Sequence, residues 1–231
     1  MNTRNSFLES LRFDVSAAYE EYSRYLFDYK AQFHYQALSA HIAIMEAFPE
    51  IDFHTICRIK SLTSFLAKAE HKGIEKVFDI HGIKHIIHFA DGSSDEKILT
   101  DYCYRLRDFL QSYYSKLPAE TTICRLKDYI VEPKENGYQA LHFSGITAGR
   151  RFETQIKTAH MEDVAKFGGA NHAEKYKPRE LGPHPLASVP RYLVIRNQEG
   201  MPVVHELSLQ DCFQYFYNVP YEQYVQMERE K

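Results

Sequence analysis

The residues best suited to chemistry concentrate between Arg125 and Thr158, where the chain reads RLKDYIVEPKENGYQALHFSGITAGRRFETQIKT. The first half sets Arg125, Lys127, Lys134, Asn136, Tyr138 and His142 around Pro133 and the breaker pair Asn136-Gly137, a mark of tight, exposed turns. Cations, an amide and an aromatic ring on one loop suit a planar base carrying phosphates, because the ring stacks while the cations neutralise. A solvated hairpin loop with ordinary surface lysines accounts for these residues equally well. The second half adds a carboxylate. Leu141 to Ile146 and Arg151 to Thr158 are two alternating runs joined by Thr147-Ala148-Gly149-Arg150, which reads as a hairpin. A period of two puts Glu153, Gln155 and Lys157 on one face and Phe152, Thr154 and Ile156 on the other. The partner for Glu153 is Asp79, at the start of the strand-like run KVFDIHGIKHIIHF (Lys76 to Phe89). Two carboxylates on neighbouring strands, beside cations, describe a site for Mg2+ and polyphosphate, since magnesium takes one or two carboxylates plus substrate phosphates.

The elements that must position these groups are legible from periodicity. Asp14 to Phe48 has few breakers and recurring apolar positions, which predicts one long or two consecutive amphipathic helices ended by Pro49. The tyrosines along it (Tyr19, Tyr22, Tyr25, Tyr29, Tyr35) are read as packing residues rather than a binding face. Arg58 to Lys72 reads as a loop leading into a helix capped by Ser61 or Thr63, with Phe65, Leu66 and Ala69 inward. Ser64, Lys68 and Lys72 then recur every four residues on one face. A strand over Val77 to Phe89 and a helix from Glu96 to about Lys116 follow. After the hairpin comes a helix over Ala159 to Tyr176 with a Gly168-Gly169 interruption. Residues 177–190 hold four prolines and read as a linker. Arg191 to Leu207 reads as a further hairpin, and Ser208 as the cap of a short aromatic helix.

Composition narrows the class. With 44% hydrophobic and 26% charged residues in 231, the chain has an ordinary globular make-up. There is no long apolar run, so no membrane span is expected, and the start lacks a signal-peptide pattern, which makes the cytoplasm the default. A net charge of -3 with a pI near 6.5 gives no global nucleic-acid footprint. Cys57, Cys103, Cys124 and Cys212 are widely spaced, so buried reduced thiols are expected rather than a zinc site. Among the histidines, strand alternation separates His88 from His81 and His85, and no metal is expected there.

Four ordered pieces, RIKSLTSFLAKAEHKG (Arg58 to Gly73), FDIHGIK (Phe78 to Lys84), KDYIVEPKENGYQALH (Lys127 to His142) and ETQIKT (Glu153 to Thr158), resemble the synthetase domain of the RelA/SpoT homologue family. The likeness is to its single-domain form, the small alarmone synthetases, and includes Met161, Gly168 and His172 in the helix that follows. It covers about half the chain. The fold this implies is α+β: a mixed, mostly antiparallel sheet of about five strands flanked by helices, with a nucleotidyltransferase-like core. Residues 58–176 would form that core, 1–57 a helical extension and 177–231 a linker with a hairpin and helix.

The resemblance implies an ATP-dependent diphosphotransferase acting on the 3'-hydroxyl of GDP or GTP. Asp79 and Glu153 would hold Mg2+, with Glu153 also a base or orienter. Arg58, Lys60, Ser64, Lys68 and Lys84 would bind ATP, and Lys127, Asn136, Tyr138, His142 and Gln155 the acceptor. Three positions depart from the family pattern: Lys84 stands where an adenine-stacking arginine is usual, Ala140 replaces a common serine, and Glu162 a histidine. An ammonium stacks less well than a planar guanidinium. The hydrolase half of long family members is not expected, because no His-Asp pair precedes Arg58. Two other readings accompany the first. Some single-domain relatives are toxins that modify the 3' end of tRNA and are held by an antitoxin; Arg150, Arg151, Lys175, Lys177 and Arg179 would then supply a cationic patch. A non-catalytic nucleotide- or RNA-binding module is the other, although a binder needs no pair of metal carboxylates. Self-association into a homo-oligomer is compatible with either.

Overall fold

The computed structural model describes residues 14–89, 95–117, 120–167, 191–196 and 202–206. Its helices are α1 (Val15–Ser23), α2 (Lys30–Ala47), α3 (Leu62–Lys72), α4 (Glu96–Ser115) and α5 (Ala159–Phe167). Its strands are β1 (Ile51–Ile59), β2 (His81–Phe89), β3 (Thr121–Asp128), β4 (Leu141–Thr147), β5 (Arg150–Thr158), β6 (Arg191–Arg196) and β7 (Pro202–Glu206). They form one sheet in the order β3-β4-β5-β2-β1-β6-β7. Only β2 and β5 run parallel; every other pair is antiparallel. The expected class and the mixed, mostly antiparallel sheet are therefore present. Five strands form the body, and the expected hairpin after the linker adds two more at the β1 edge.

One sheet face is apolar because alternation puts Phe53, Ile87, Phe143, Phe152 and Ile156 there, against Ala40, Ile44 and Phe48 from α2 and Cys103, Leu106, Leu110 and Tyr114 from α4. Each large side chain fully buried in such a layer is worth about 1.5–3 kcal/mol. A second cluster joins α1, α2 and α3 to Cys57, Ile59, Val77, Ile80 and Ile83. The opposite face carries the polar row expected of β5 and is met by α5. At the β4–β5 turn Ala148 and Gly149 both take positive φ, 47° and 75°, the twist a two-residue hairpin requires.

Several expectations shift. The long N-terminal helix is two helices separated by a π-helical turn, Arg24–Asp28. A strand, β1, precedes Lys60, so Arg58 ends a strand rather than opening a loop, and the boundary drawn at residue 57 falls inside the sheet. Its alternation is broken at Thr55, which is polar and buried, and at Ile56 on the other face. The strand expected from Val77 begins at His81, leaving Asp79 in the turn before it. Arg125 to Asp128 belongs to β3 and not to a loop; one side of this edge strand is exposed, which blurs its alternation. Cys57 and Cys103 are buried as expected, whereas Cys124 on that edge is exposed. Gly168, Gly169, His172, Cys212 and the helix after Ser208 lie outside the described residues.

Two hydrogen-bonded polar groups lie inside the apolar layer. The Thr55 hydroxyl lies 2.9 Å from Nδ1 of both His41 and His85, donating to one ring and accepting from the other. His81 Nε2 lies 3.0 Å from the Tyr25 carbonyl, donates to it, and stacks on Phe33. Burial pushes both His81 and His85 down to about 3, against only the Tyr25 hydrogen bond on His81. A histidine depressed in the fold is protonated first in the unfolded chain, so stability is full above about pH 6.5 and is lost as pH falls below it. Between pH 6.5 and 5 the two rings together should cost about 3 kcal/mol. Urea midpoints measured across that range should fall well before the carboxylates titrate; a flat profile down to pH 5 would show that these rings are not neutral in the fold.

Candidate active site

The parallel pairing of β2 with β5 assembles the site. It sets Gly82 opposite Glu153, Lys84 opposite Gln155 and Ile86 opposite Lys157. On the outer sides, Arg58 of β1 pairs with Gly82, and Ser144 and His142 of β4 pair with Glu153 and Gln155. A Cβ on Gly82 would lie 3.6 Å from Arg58 Cγ, so the bare strand lets the arginine stem lie along it.

Asp79 projects from the turn before β2. Its Oδ2 accepts a hydrogen bond from Lys60 Nζ at 2.9 Å, while Lys68 Nζ of α3 lies 2.8 Å from Oδ1 as an ion pair. Both Asp79 oxygens therefore face an ammonium group. Burial alone would raise the Asp79 carboxyl, but the two ammonium charges hold it well below the usual carboxylate range. Ser64 lies in the first turn of α3, accepting from the Ser61 hydroxyl at 2.8 Å; Ser61 in turn caps the helix by accepting from the Ser64 amide. The expected face of Ser64 and Lys68 thus opens toward Asp79.

Glu153 is the second carboxylate. Its Oε1 lies 3.4 Å from His142 Nδ1 and accepts from Gln155 Nε2 at 3.1 Å. Tyr138 lies 2.8 Å from His142 Nε2 through its hydroxyl, which is also 3.3 Å from Gln155 Oε1. Glu153 is acceptor-only, so His142 Nδ1 carries a proton toward it, while the single phenol proton is directed to Gln155 Oε1. Burial lowers the His142 ring, and Glu153 opposes that shift. For Glu153, burial raises the carboxyl, yet the His142 hydrogen bond and its neighbours bring it down to about 2, even with the Asp79 charge near enough to oppose them.

The rest of the expected acceptor group surrounds Tyr138. The ring is buried, and the ammonium groups of Lys134 and Lys157 both lie 4.6 Å from its centroid. Lys134 reaches the Tyr129 ring too, at 4.6 Å, and Lys127 sits 5.7 Å from it. Asn136 does not project into the site: its Oδ1 accepts from the Tyr138 amide at 3.3 Å and shapes the turn in which Gly137 has a φ of 79°. Ala140 is fully buried beside Tyr138.

One participant was visible in the sequence only as a departure. Glu162, in the first turn of α5, is buried and bridges two lysines, Lys84 Nζ at 2.8 Å from Oε1 and Lys157 Nζ at 3.1 Å from Oε2. Burial would raise its carboxyl, and the lysines bring it down to about 2. Burial likewise pushes Lys84 down to about 8 against the pull of Glu162. The two departures at 84 and 162 are therefore one contact, and no local spacing signals a pair separated by 78 residues.

Two residues offered for a cationic patch turn inward. The Arg151 guanidinium is buried against the Glu21 carboxylate, the Ile74 carbonyl and the Tyr25 hydroxyl, tying α1 to β5. Arg150 is buried beside Tyr29, its carbon Cζ 5.7 Å from the ring centroid. Lys175, Lys177 and Arg179 lie outside the described residues.

A mixed sheet whose parallel seam gathers two carboxylates, four lysines and a buried tyrosine defines a candidate polyphosphate site. Residues 57–180 match the profile described as the region found in RelA / SpoT proteins. That is more than half of the chain, which belongs to this family. It is 36% identical over 126 residues to a probable chloroplastic GTP diphosphokinase of Arabidopsis thaliana, covering 53% of this chain and 16% of that protein. It is 34% identical over 131 residues to a GTP pyrophosphokinase of Brucella melitensis, covering 55% of this chain and 15% of that one. The chain thus spans less than a fifth of the length of these relatives. In fold it resembles the small alarmone synthetase 1 of Bacillus subtilis bound to its product pppGpp, with a TM-score of 0.50 and 22% identity over 70% of this chain and 84% of that one.

The Glu162 bridge makes an asymmetric prediction. Lys84→Met leaves the carboxylate paired with Lys157 and should cost about 1 kcal/mol. Glu162→Leu strands two buried ammonium groups and should cost about 3–5 kcal/mol. Urea denaturation of both variants checks this; equal losses would mean that Glu162 does not hold both lysines.

Proposed function

We propose that the chain transfers the β,γ-diphosphate of ATP to the 3'-hydroxyl of GDP or GTP and releases AMP. The observation that carries this reading is that Asp79, from the turn before β2, comes close enough to Glu153 of β5 for their charges to interact, with Lys60 and Lys68 at Asp79 and with Lys157 of β5 and Tyr138 of the β3–β4 loop nearby. The names of the curated relatives support it. Arg58, Lys60, Ser64, Lys68 and Lys84 line the ATP side; Tyr138, His142 and Gln155, with Lys127 on the neighbouring strand, line the acceptor side, where Asn136 shapes the loop.

In the reaction the acceptor 3'-oxygen forms a bond to the β-phosphorus, the bond from that phosphorus to the α–β bridging oxygen breaks, and AMP leaves with the electron pair. Such a transfer needs alignment and charge neutralisation more than covalent help. Lys60 and Lys68 are placed to exchange the Asp79 carboxylate for polyphosphate oxygens. Glu153 is placed to accept a hydrogen bond from the attacking hydroxyl. Its neighbours keep this carboxyl ionised, the form that accepts that hydrogen bond and can pass the proton on to water. His142 and Gln155 hold that carboxylate in place.

The residues also fit Mg2+. Asp79 and Glu153 are two largely buried carboxylates close enough for the Glu153 carboxyl to feel the Asp79 charge, a donor set of the kind magnesium takes. Asp79 and Glu153 would hold the ion, which would neutralise the polyphosphate as charge moves to the leaving group.

Purified protein incubated with γ-labelled ATP and Mg2+ should place label on GDP or GTP. Glu153→Gln, which keeps the shape and removes the charge, should lower the turnover number by at least about a hundredfold with the circular dichroism unchanged. Label on deacylated tRNA instead, or on no acceptor with folded protein, would overturn this reading.

A further inference from the structure

We propose that Tyr25 is a positioning residue for the transfer: it clasps the open end of the β2–β5 seam and thereby sets the spacing of Asp79 and Glu153. The inference rests on the diphosphate-transfer reading above and adds to it a residue of the N-terminal helices.

The seam ends abruptly at the site. β2 begins at His81, level with Phe152, so no β2 residue stands opposite Arg151. The two carboxylates flank this end, Asp79 just before His81 and Glu153 just after Arg151 and Phe152. Parallel strands share no turn, and the first residues of a pair are where it frays. Tyr25 occupies that gap. Its carbonyl accepts from His81 Nε2 at 3.0 Å, and its hydroxyl accepts from the Arg151 amide at 2.7 Å and from Arg151 Nε at 3.3 Å. One side chain and its own carbonyl therefore tie the first residue of β2 to the start of β5.

The clasp is held firmly. The Tyr25 ring is 1% exposed and meets the His81 ring edge-on with centroids 4.8 Å apart, while His81 stacks on Phe33. A hydroxyl oxygen offers two lone pairs, and Arg151 uses both, one through its amide and one through its side chain. The rest of the guanidinium reaches the Ile74 carbonyl and the Glu21 carboxylate. Tyr25 itself sits in the π-helical turn Arg24–Asp28, a rare form that recurs at functional sites.

The load on the clasp is electrostatic. Asp79 and Glu153 are near enough for their charges to oppose one another, which drives the two strand starts apart. The Tyr25 hydroxyl resists this on the β5 side and its carbonyl on the β2 side. A reacting group displaced by about 1 Å can cost on the order of a hundredfold in rate. The spacing of the two carboxylates is thus set from α1 and its π-helical turn, outside the site itself.

The test is Tyr25→Phe in the full chain, which keeps the ring and the carbonyl and removes only the hydroxyl. With ATP, Mg2+ and GDP, kcat should fall about tenfold or more while KM for either nucleotide stays within about twofold, because substrate contacts are untouched and alignment is lost. Amide exchange followed by NMR should quicken about tenfold or more at Arg151 and stay unchanged at Phe143 in the sheet interior. Glu21→Gln weakens the hold of α1 on the guanidinium but leaves the clasp, and should keep kcat within about threefold. An unchanged kcat alongside faster exchange, a KM rise at constant kcat, or an equal kcat loss in Glu21→Gln each overturns the assignment. In the wild type alone, the Arg151 amide should exchange as slowly as the paired amides of β5; fast exchange there overturns the clasp even if Tyr25→Phe does not fold. A wild type that transfers nothing to GDP or GTP removes the proposed function instead, and this inference with it.

Discussion

Charge buried on one face of the sheet is the constraint on which the rest of the structure depends. Asp79, Glu153 and Glu162 stand there against Lys60, Lys68, Lys84 and Lys157, and Asp79, Glu162 and Lys157 are almost wholly removed from solvent. Taking any one of them out of water alone would cost several kcal/mol, more than a typical domain can spare from its net stability. They persist because each carboxylate meets cations or donors: two lysines at Asp79, three at Glu162 (Lys84, Lys157 and, at 3.9 Å, Lys166), and an imidazole with an amide at Glu153. The lysines outnumber the carboxylates in this set. The face is thus built to accept further negative charge, which suits a polyphosphate substrate better than an added cation alone.

Such a balance demands a rigid frame, and the parallel seam supplies it. β2 and β5 are adjacent although α4, β3 and β4 lie between them in sequence, and their pairing places residues of the two strands opposite one another with no turn to share. The apolar layer beneath, from Phe53 and Ile87 to Phe152 and Ile156, holds both strands from the other side. Slippage by a single residue would send Glu153 and Lys157 into that layer and Phe152 into the site. Arg151 then anchors the start of β5 to α1 through Glu21, so the N-terminal helices belong to the support of the site as well.

Local pattern made much of this legible. The period of two along β5 placed Glu153, Gln155 and Lys157 together, and the capped helix with Ser64 and Lys68 was readable from its spacing. What escaped was set by distance in the chain. β1 and β3 carry polar residues at positions where alternation would have announced them, and only their neighbours in the sheet reveal them as strands. Asn136 carried the right chemistry for a ligand contact but spends its side-chain oxygen on the Tyr138 amide. Arg150 and Arg151 look like surface charge in a run of polar residues and are in fact buried against Tyr25, Tyr29 and Glu21. An Arg-Arg pair in sequence does not say which partners await it.

Lys84 and Glu162 show the same limit from the other direction. Taken singly, each departure from the family pattern looks like a loss: a stacking guanidinium replaced by an ammonium, and an imidazole replaced by a carboxylate. In the fold they are a 2.8 Å ion pair, so the carboxylate at 162 is the partner that the shorter-reaching ammonium at 84 meets on a buried face. Lys157 joins them through the second carboxylate oxygen and carries the contact on to Tyr138. The exchange at 84 and 162 therefore does more than conserve charge. It fixes Lys84, proposed for the ATP side, and Lys157 beside the Tyr138 ring to a single carboxylate, so the two proposed substrate sides share one anchor.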